Sequence, residues 1–393
     1  MAGDKSGDRK ILDRALRPAL TIAQCFGAAP FPIKALDPDA NNKQWREIFY
    51  QVLQFCLGIL LIIGGMVGFY WKRKWRFEKM NIPFFTFVLY NCEMILGLVG
   101  SAIVVLACAW KRKKCEEIIN LLLRTIEAFR KINEEKDLHW LRYQMKKMVL
   151  FLMVYWCAVL VLGGIYDQSI VKLMLTTLIY YVPHTIHTLS LLQYAFVILF
   201  AYEKCKTING VIFSLRYTLK SDLPSHSDTL ELLRKEHMLL HRLVFKINQE
   251  YGLLNIITMV LVLIGTSITC LEVYQHTNVQ TFTIDALNYL IYSVVWVLMY
   301  ICKMLLILYP NHLMENEREY TGLLIQAIPL SDHEQFKIEV TIFTRQIMHQ
   351  KGPYMACGIV ALDLKLLASI LGALTTYLVI LIQFDKSDAP KPE

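Results

Sequence analysis

Seven stretches of this sequence are apolar over the length that a helix needs to cross a lipid bilayer. Such a helix requires about 20 apolar residues, because each residue advances it by only about 1.5 Å. The bilayer core offers no water to backbone groups, so each stretch is expected to satisfy its own groups as a helix. We therefore predict an all-α, polytopic membrane protein with spans at 49–70, 83–110, 148–166, 173–202, 253–271, 286–309 and 356–384.

The composition agrees with a membrane protein and argues against several other classes. Hydrophobic residues make up 55% of the 393 residues, which is too much for a soluble surface. Most of the ten cysteines lie in or beside apolar runs, so we do not expect a disulfide scaffold. The net charge of +8 is concentrated beside the apolar stretches. Anionic lipid headgroups, and not nucleic acid, are therefore the expected partner of these charges.

Lysines and arginines are distributed unequally between the two sides of the predicted spans. Outside the spans, one side carries 31 of them and the other side carries 8. Because cytosolic segments collect positive charge, we predict a cytosolic N-terminus and an extracellular C-terminus in the plasma membrane. The basic loop at 71–82 disagrees with this orientation. A G-protein-coupled receptor has the opposite orientation, and the chain also lacks the Asn-Pro-x-x-Tyr and Asp/Glu-Arg-Tyr motifs.

Helical periodicity continues beyond the membrane on the predicted cytosolic side. Residues 228–271 follow one pattern, which as a single helix would be roughly 66 Å long, about twice the hydrocarbon thickness. Ser331 and Glu334 form a capping box before another amphipathic helix. Gly352 and Pro353 end that helix, and Pro353 is placed to begin the last one. Apolar stripes outside the membrane must be buried, so we predict an anchor bundle, formed within one chain or clamping several subunits together.

These observations divide the chain into five parts, which differ in their expected surroundings. The first part is a cytosolic N-terminal segment (1–48), and the second comprises transmembrane helices 1–6 (49–310), with a ligand pocket in their outer half and cytosolic extensions at 111–147 and 203–252. Cytosolic anchor helices (311–352), a pore-lining seventh helix (353–384) and an extracellular tail (385–393) follow.

The last predicted span carries its polar and small residues on one face. Lys365, Ser369, Gly372, Thr376 and Gln383 recur at helical spacing, whereas the other faces are mainly Leu, Ile and Ala. Inside a membrane, such a stripe faces either another helix or water. The spacing alone leaves both interpretations open, namely a pore between several subunits or helix pairing through small residues.

The end of this span resembles the C-terminal signature of the insect gustatory receptor family. Thr376 and Tyr377 are followed by five apolar residues and then by Gln383 and Phe384, as in the family pattern Thr-Tyr-(five hydrophobic)-Gln-Phe. The resemblance implies a homotetrameric or heteromeric, tastant-gated, non-selective cation channel. Its last helix would line the pore, and the implied pore and gate residues are Thr376, Val379, Ile380, Gln383 and Phe384.

The resemblance also implies an outward-opening pocket for a small-molecule tastant in each subunit.

One residue fits a cation channel poorly, because a ring of Lys365 side chains would repel cations. Asp363 and a wide inner vestibule are alternative ways of offsetting this charge, and the sequence does not decide between them.

Polar and aromatic side chains in the outer halves of the spans are the candidate ligand-binding residues. Burying ionisable or amide groups in a membrane is unfavourable, so such groups are functional candidates. An aromatic wall with a few hydrogen-bonding groups suits a small neutral organic ligand, such as a sugar or a bitter compound. The same aromatic residues are also typical of an ordinary interfacial belt. The candidates are Asn91, Glu93, Tyr180, His184, Thr266, Asn288, Tyr289, Tyr292 and Trp296.

Other functions receive less support from the sequence. The pair His184 and His187 and the pair His237 and His241 lack a third ligand at metal-binding spacing, so neither a metal nor another cofactor is expected. No phosphate loop or nucleophile motif indicates an enzyme. The nearest alternative is a related insect odorant receptor channel, and a metabotropic seven-span receptor represents a different class. The sequence does not identify the tastant.

Overall fold

A computed structural model describes residues 5–29, 44–72, 84–131, 138–167, 169–218, 223–279, 284–329 and 334–387. The described residues form eleven α-helices, one π-helical turn and one short β-hairpin. The elements are α1 Lys5–Cys25, α2 Gln44–Lys72, α3 Phe84–Trp110, α4 Arg112–Lys131, α5 His139–Asp167, α6 Ile170–Thr176, the π-turn Thr177–Tyr181, α7 Val182–Thr218, α8 Leu223–Val279, α9 Ile284–Gln326, α10 Glu334–His349, β1 Met355–Ala356, β2 Val360–Ala361 and α11 Leu364–Ser387.

Seven helical segments in the described part of the chain are long and apolar enough to cross a membrane, as predicted. They are α2, α3, α5, the run from α6 through α7, α8, α9 and α11. The prediction of a nearly all-helical, multi-pass membrane protein is therefore confirmed. The prediction of a continuous helix over 228–271 is also confirmed, because α8 contains 57 residues and begins at Leu223. At about 1.5 Å per residue it is roughly 85 Å long. Ser331 of the predicted capping box lies outside the described residues.

Helix α7 occupies the centre of the bundle. Its residues between Ile186 and Ala201 are buried, because the helix is largely apolar on all sides and other helices surround it. Close packing against α3 depends on Gly100, since a Cβ there would lie 2.7 Å from Cε1 of the His187 ring. Thr258 of α8 lies on the other side of this ring, with its hydroxyl 3.5 Å from Nδ1.

Helix α1 also packs into this bundle. It is amphipathic and buries Leu12, Leu16 and Ala19 against neighbouring helices, which include α5 and α7. The Gln193 amide of α7 donates a hydrogen bond of 2.8 Å to the carbonyl of Ala28 and so holds the end of this segment. The N-terminal segment is therefore part of the folded core between residues 5 and 29.

Three buried polar residues connect α7, α8 and α9. The Tyr194 hydroxyl donates to Asn248 Oδ1 at 2.6 Å and accepts from Asn311 Nδ2 at 2.6 Å. Asn248 Nδ2 donates to Asn311 Oδ1 at 3.0 Å and completes the ring. Because each buried polar group has partners, the network fixes the relative positions of the three helices without leaving costly unsatisfied groups.

The prediction that the seventh helix begins at Pro353, with its span starting at residue 356, is wrong. Met355 pairs with Ala361 and Ala356 with Val360 in an antiparallel hairpin, and α11 begins only at Leu364. The hairpin turn contains Cys357 and Gly358 with φ of 51° and 71°. Two successive left-handed residues are typical of a tight hairpin turn and incompatible with a right-handed helix.

Asp363 terminates the hairpin and starts α11. Its Oδ1 accepts a 3.0 Å hydrogen bond from the backbone N–H of Leu366, which satisfies one of the free donors at the helix start. Helix α11 then packs on α8 and α9 through its apolar side. Asp363 therefore acts as a helix cap, and Lys365 beside it is exposed.

The hairpin packs against α8 at Gly252. A Cβ added to Gly252 would lie 2.5 Å from the backbone N and 2.7 Å from the Sγ of Cys357. No side chain fits there without moving the hairpin backbone, so the absence of a side chain allows the close approach. Gly210 of α7 is a matched contrast, because an added Cβ meets no atom within 4 Å.

We predict that Gly252→Ala destabilises the protein although alanine favours helix formation. The helical gain of about 1 kcal/mol is offset by about 1–3 kcal/mol for forcing a methyl group into packed structure. Gly210→Ala should be neutral or stabilising by up to about 1 kcal/mol. Thermal unfolding of the detergent-solubilised protein, followed by size exclusion, measures both variants. Equal melting temperatures for the two variants would contradict the proposed close contact.

Candidate ligand site and pore face

Trp296 of α9 is the centre of a buried aromatic cluster between α3, α7 and α9. Five rings lie around it, with centroid distances from 5.2 to 6.5 Å. They belong to Tyr180, Tyr181, His184, Tyr292 and Tyr300. We refer to these six residues together with Glu93 and Lys303 as the Trp296 cluster. It combines a broad apolar surface with hydroxyl, imidazole, carboxylate and ammonium groups.

The two charged residues of the cluster lie opposite each other on α3 and α9. Glu93 accepts a hydrogen bond from the Tyr300 hydroxyl, and Lys303 Nζ lies 2.6 Å from His184 Nδ1. Glu93 is 6% exposed and Lys303 is 2% exposed. Removing one such charge from water costs several kcal/mol. Their opposite signs and their hydrogen-bond partners offset part of this cost.

The π-turn Thr177–Tyr181 positions two of the aromatic rings. A π-turn contains one residue more than an α-helical turn, and such turns are frequent at functional sites. In this protein Tyr180 and Tyr181 are adjacent in sequence, yet both face Trp296. In a regular α-helix, adjacent side chains point about 100° apart. The Tyr181 hydroxyl also lies 3.1 Å from that of Tyr292.

The structure brings five of the nine candidate ligand residues into the Trp296 cluster. These five are Glu93, Tyr180, His184, Tyr292 and Trp296. The other four lie elsewhere. Tyr289 donates a 2.6 Å hydrogen bond to Glu272 Oε2, Thr266 is buried on α8, and Asn91 and Asn288 are half-buried. None of these four takes part in the contacts around Trp296 given above.

The sequence analysis missed three members of the cluster. Tyr300 and Lys303 follow Trp296 at intervals of four and three residues, so helical periodicity would have found them on the same face of α9. Both lie in the inner half of the predicted span 286–309, whereas the candidate residues come from the outer halves. No spacing rule identifies Tyr181, because the π-turn that brings it inward depends on the tertiary structure.

The polar stripe of α11 faces away from the rest of the chain. Lys365, Ser369, Gly372, Thr376 and Gln383 are all exposed, as are the neighbouring pore candidates Val379 and Ile380. The opposite side of the helix packs on the chain and carries Ile370, Leu374, Leu378 and Leu381. Helix α11 continues through Phe384 to Ser387, but the Phe384 side chain is outside the described part of the structure.

Signature residues Thr376 and Tyr377 have different surroundings. The Thr376 hydroxyl donates a 3.0 Å hydrogen bond to the carbonyl of Gly372 within the same helix. Off the stripe, Thr375 donates to the same carbonyl at 2.8 Å. Tyr377 is half exposed. The two threonines are thus similar in their local hydrogen bonds and differ in the direction that they face.

Arg318 connects α9 to the segment that leads into the hairpin. Its Nη2 donates a 2.7 Å hydrogen bond to the carbonyl of Gly352, and its guanidinium lies 5.1 Å from the centre of the Tyr354 ring. Burial raises the pKa of Tyr354, and Arg318 opposes this effect only in part. Tyr354 therefore stays a neutral phenol at physiological pH. The segment between α10 and α11 is fixed to α9 at one end and to α8 at Gly252.

The fold and these sites define a seven-helix membrane protein with a buried polar and aromatic cluster and a polar exposed last helix. A sequence model of the 7tm Chemosensory receptor family matches residues 16–388. The match covers nearly the whole chain, and the chain therefore belongs to this family of chemosensory receptors.

Two curated proteins of Drosophila melanogaster are similar over shorter regions. "Gustatory receptor for sugar taste 43a" is 30% identical over 102 residues, which are 26% of this chain and 24% of that protein. "Putative gustatory receptor 2a" is 38% identical over 79 residues, which are 20% of this chain and 17% of that protein. The matches thus span about a quarter or less of each relative.

Solved structures of an insect olfactory receptor share the fold. The structure of olfactory receptor OR5 from Machilis hrabei has a TM-score of 0.68 and 13% identity, covering 96% of this chain and 99% of that chain. The structure of the same receptor in complex with eugenol has a TM-score of 0.64 and 13% identity, covering 95% and 98%. At this identity the likeness shows the fold.

We predict that Tyr300→Phe lowers the thermal stability of the protein. The change keeps the ring but removes the donor to the buried Glu93 carboxylate, which costs about 1–3 kcal/mol. Tyr309→Phe, two turns later on α9, is the matched control because its side chain is half exposed. Melting temperatures in one detergent measure both variants. A Tyr300→Phe protein as stable as the control would show that the hydrogen bond contributes little.

Proposed function

We propose that this chain is one subunit of a tetrameric, tastant-gated, non-selective cation channel. The N-terminus is cytosolic and the C-terminus extracellular in the plasma membrane. The cytosolic part comprises residues 1–48 and 311–352 together with the helix extensions at 111–147 and 203–252. The first six spans lie within residues 49–310, and residues 385–393 form the outer tail. Within the proposed pore segment 353–384, the part that crosses the membrane starts at Leu364, where α11 begins.

The exposed polar stripe of α11 is the observation that carries this proposal. Within one chain, the stripe points away from every helix against which α11 packs. Polar side chains facing lipid are unfavourable, so the stripe requires water or other protein next to it. Four copies arranged around an axis would supply both, with Thr376, Val379, Ile380, Gln383 and Phe384 along the conduit. Gln383 carbonyl oxygens at the mouth would then replace part of the hydration of a passing cation.

The Trp296 cluster is the proposed site of the tastant. Its aromatic surface suits the apolar part of a small organic molecule, and Glu93, His184 and Lys303 offer groups that fix orientation. Sugars, bitter compounds and other small organics are the candidate classes. One Drosophila relative is named as a receptor for sugar taste, which supports the first of these classes.

Movement can pass from the cluster to the pore through α9. This helix carries Trp296, Tyr300 and Lys303, and it also packs against α11. Further along, Arg318 of the same helix holds Gly352 before the hairpin. A ligand that separates α9 from α3 would therefore change the position of α11 at two points. Such a ligand shifts the channel only by its differential affinity for the open and closed states.

A channel gated by an odorant is the second candidate. It is favoured by the shared fold with an insect olfactory receptor whose structure contains eugenol. A panel of sugars, bitter compounds and volatile odorants, applied to cells that express only this chain, separates the two candidates by calcium imaging. Responses confined to volatiles would favour the odorant receptor.

We predict agonist-evoked cation currents in excised patches without nucleotides, because the conduit is part of the protein. In the same patches, Gln383→Glu should raise calcium permeability relative to sodium, since four carboxylates would surround the mouth. Thr375→Val, which lies off the stripe, is the control and should keep the wild-type reversal potential. Currents that disappear without nucleotides would favour metabotropic coupling, and an unchanged reversal potential in Gln383→Glu would remove this residue from the pore.

We predict that Tyr292→Phe shifts the agonist concentration dependence and leaves the maximal current unchanged. The variant keeps the ring beside Trp296 and removes the hydroxyl that lies 3.1 Å from the Tyr181 hydroxyl. A lost hydrogen bond is worth about 0.5–1.5 kcal/mol, a shift of roughly two- to tenfold. Tyr320→Phe, far along α9 and exposed, is the control. An equal response in both variants would place the tastant elsewhere.

A further inference from the structure

The junction between α3 and α4 carries an exposed tryptophan followed by four basic residues. Trp110 ends the apolar segment of α3 and is 92% exposed, the highest value among the large hydrophobic residues described. It is followed directly by Lys111, Arg112, Lys113 and Lys114. Tryptophan is enriched at membrane interfaces, and basic clusters beside a span attract anionic lipid.

Helix α8 supplies a partial counter-charge to this junction. Glu250 Oε2 lies 3.2 Å from Lys111 Nζ, and Glu250 Oε1 lies 2.9 Å from Lys114 Nζ. Lys111 Nζ also donates to the backbone carbonyl of Glu250 at 3.1 Å. Lys246, one turn earlier on α8, pairs with Glu117. One carboxylate is thus shared by two ammonium groups, and the junction keeps an excess of positive charge.

The lysine side chains remain accessible despite these contacts. Lys111 and Lys114 side chains are 41% and 56% exposed, whereas that of Glu250 is 9% exposed. Lys113 is exposed as well. A phosphate group that approaches from the membrane surface can therefore reach the ammonium groups from the side opposite Glu250.

We propose that Trp110, Lys111, Lys113 and Lys114, the α3–α4 basic surface, bind the phosphate headgroup of an anionic membrane lipid. The indole sits at the interface and the ammonium groups pair with the phosphate, which is the chemistry that such a headgroup requires. The surface lies at the end of the apolar segment of α3, where headgroups are within reach.

The bound headgroup also affects gating, a step that rests on the proposed channel function. Glu250 is two residues before Gly252, where the hairpin leading to α11 packs on α8. Phosphate competes with Glu250 for Lys111 and Lys114 and so weakens the link between the α3–α4 junction and α8. A change in this link reaches the hairpin within one helical turn.

The test measures lipid binding separately from current. The purified full-length protein is placed in vesicles of phosphatidylcholine alone, with added phosphatidylserine, or with added phosphatidylinositol bisphosphate, and bound lipid is counted by native mass spectrometry. Lys113→Gln should weaken retention of anionic lipid about fivefold, the effect of one lysine near a charged surface. Lys113→Arg should retain it. Lys337→Gln on α10, also exposed, is the charge-matched control and should behave as wild type.

Three binding results would contradict the proposal that the α3–α4 basic surface binds anionic lipid. These are equal lipid retention by Lys113→Gln and wild type, equal losses in Lys113→Gln and Lys337→Gln, and tight binding of inorganic phosphate by a protein that ignores anionic vesicles. Size exclusion separates these results from misfolding, as does the Lys113→Arg protein.

Agonist-evoked flux in the same vesicles tests the effect on gating. Flux should depend on anionic lipid in wild type, and Lys113→Gln should need about fivefold more anionic lipid for the same flux. Lipid-independent flux in wild type would overturn the gating step. A protein that binds anionic lipid through Lys113 but shows no flux in any vesicle would contradict the channel proposal and leave the headgroup site standing.

Discussion

The absence of water in the bilayer core is the constraint on which this structure depends, because polar groups there must be satisfied by the protein. Within the bundle, pairs such as Tyr300 with Glu93 and Lys303 with His184 meet part of this requirement. On α11 the hydroxyls of Ser369 and Thr376 bond to carbonyls of their own helix, whereas Lys365 and Gln383 face outward. The same physical rule therefore bears both on the buried charged cluster and on the outward-facing polar stripe of α11.

Helix α8 brings together three regions that lie far apart in the sequence. Its 57 residues contact the hairpin at Gly252, the α3–α4 junction at Glu250 and the buried ring at Asn248. These three contacts fall within two helical turns. A displacement of α8 at this level would therefore reach the central helices, Lys111 and Lys114, and the segment that leads into α11.

Local patterns in the sequence predicted the spans, the long helices and the α11 stripe, because each depends on apolar periodicity within one helix. The hairpin was not predicted, since Pro353 is compatible with a helix start and the left-handed turn at Cys357 and Gly358 has no apolar signal. Five of nine candidate ligand residues meet at Trp296. Which polar groups pair, as Lys303 does with His184, is decided by how separate helices pack, and one chain's periodicity does not contain that information.

The π-turn Thr177–Tyr181 also determines how this part of the chain responds to a change in length. It contains one residue more than a regular turn, so deleting a single residue there would restore an unbroken α-helix. The deletion would leave α7 in its central packing and turn α6 by about 100° about the helix axis. A deletion of one residue at this position would therefore change which aromatic rings face Trp296.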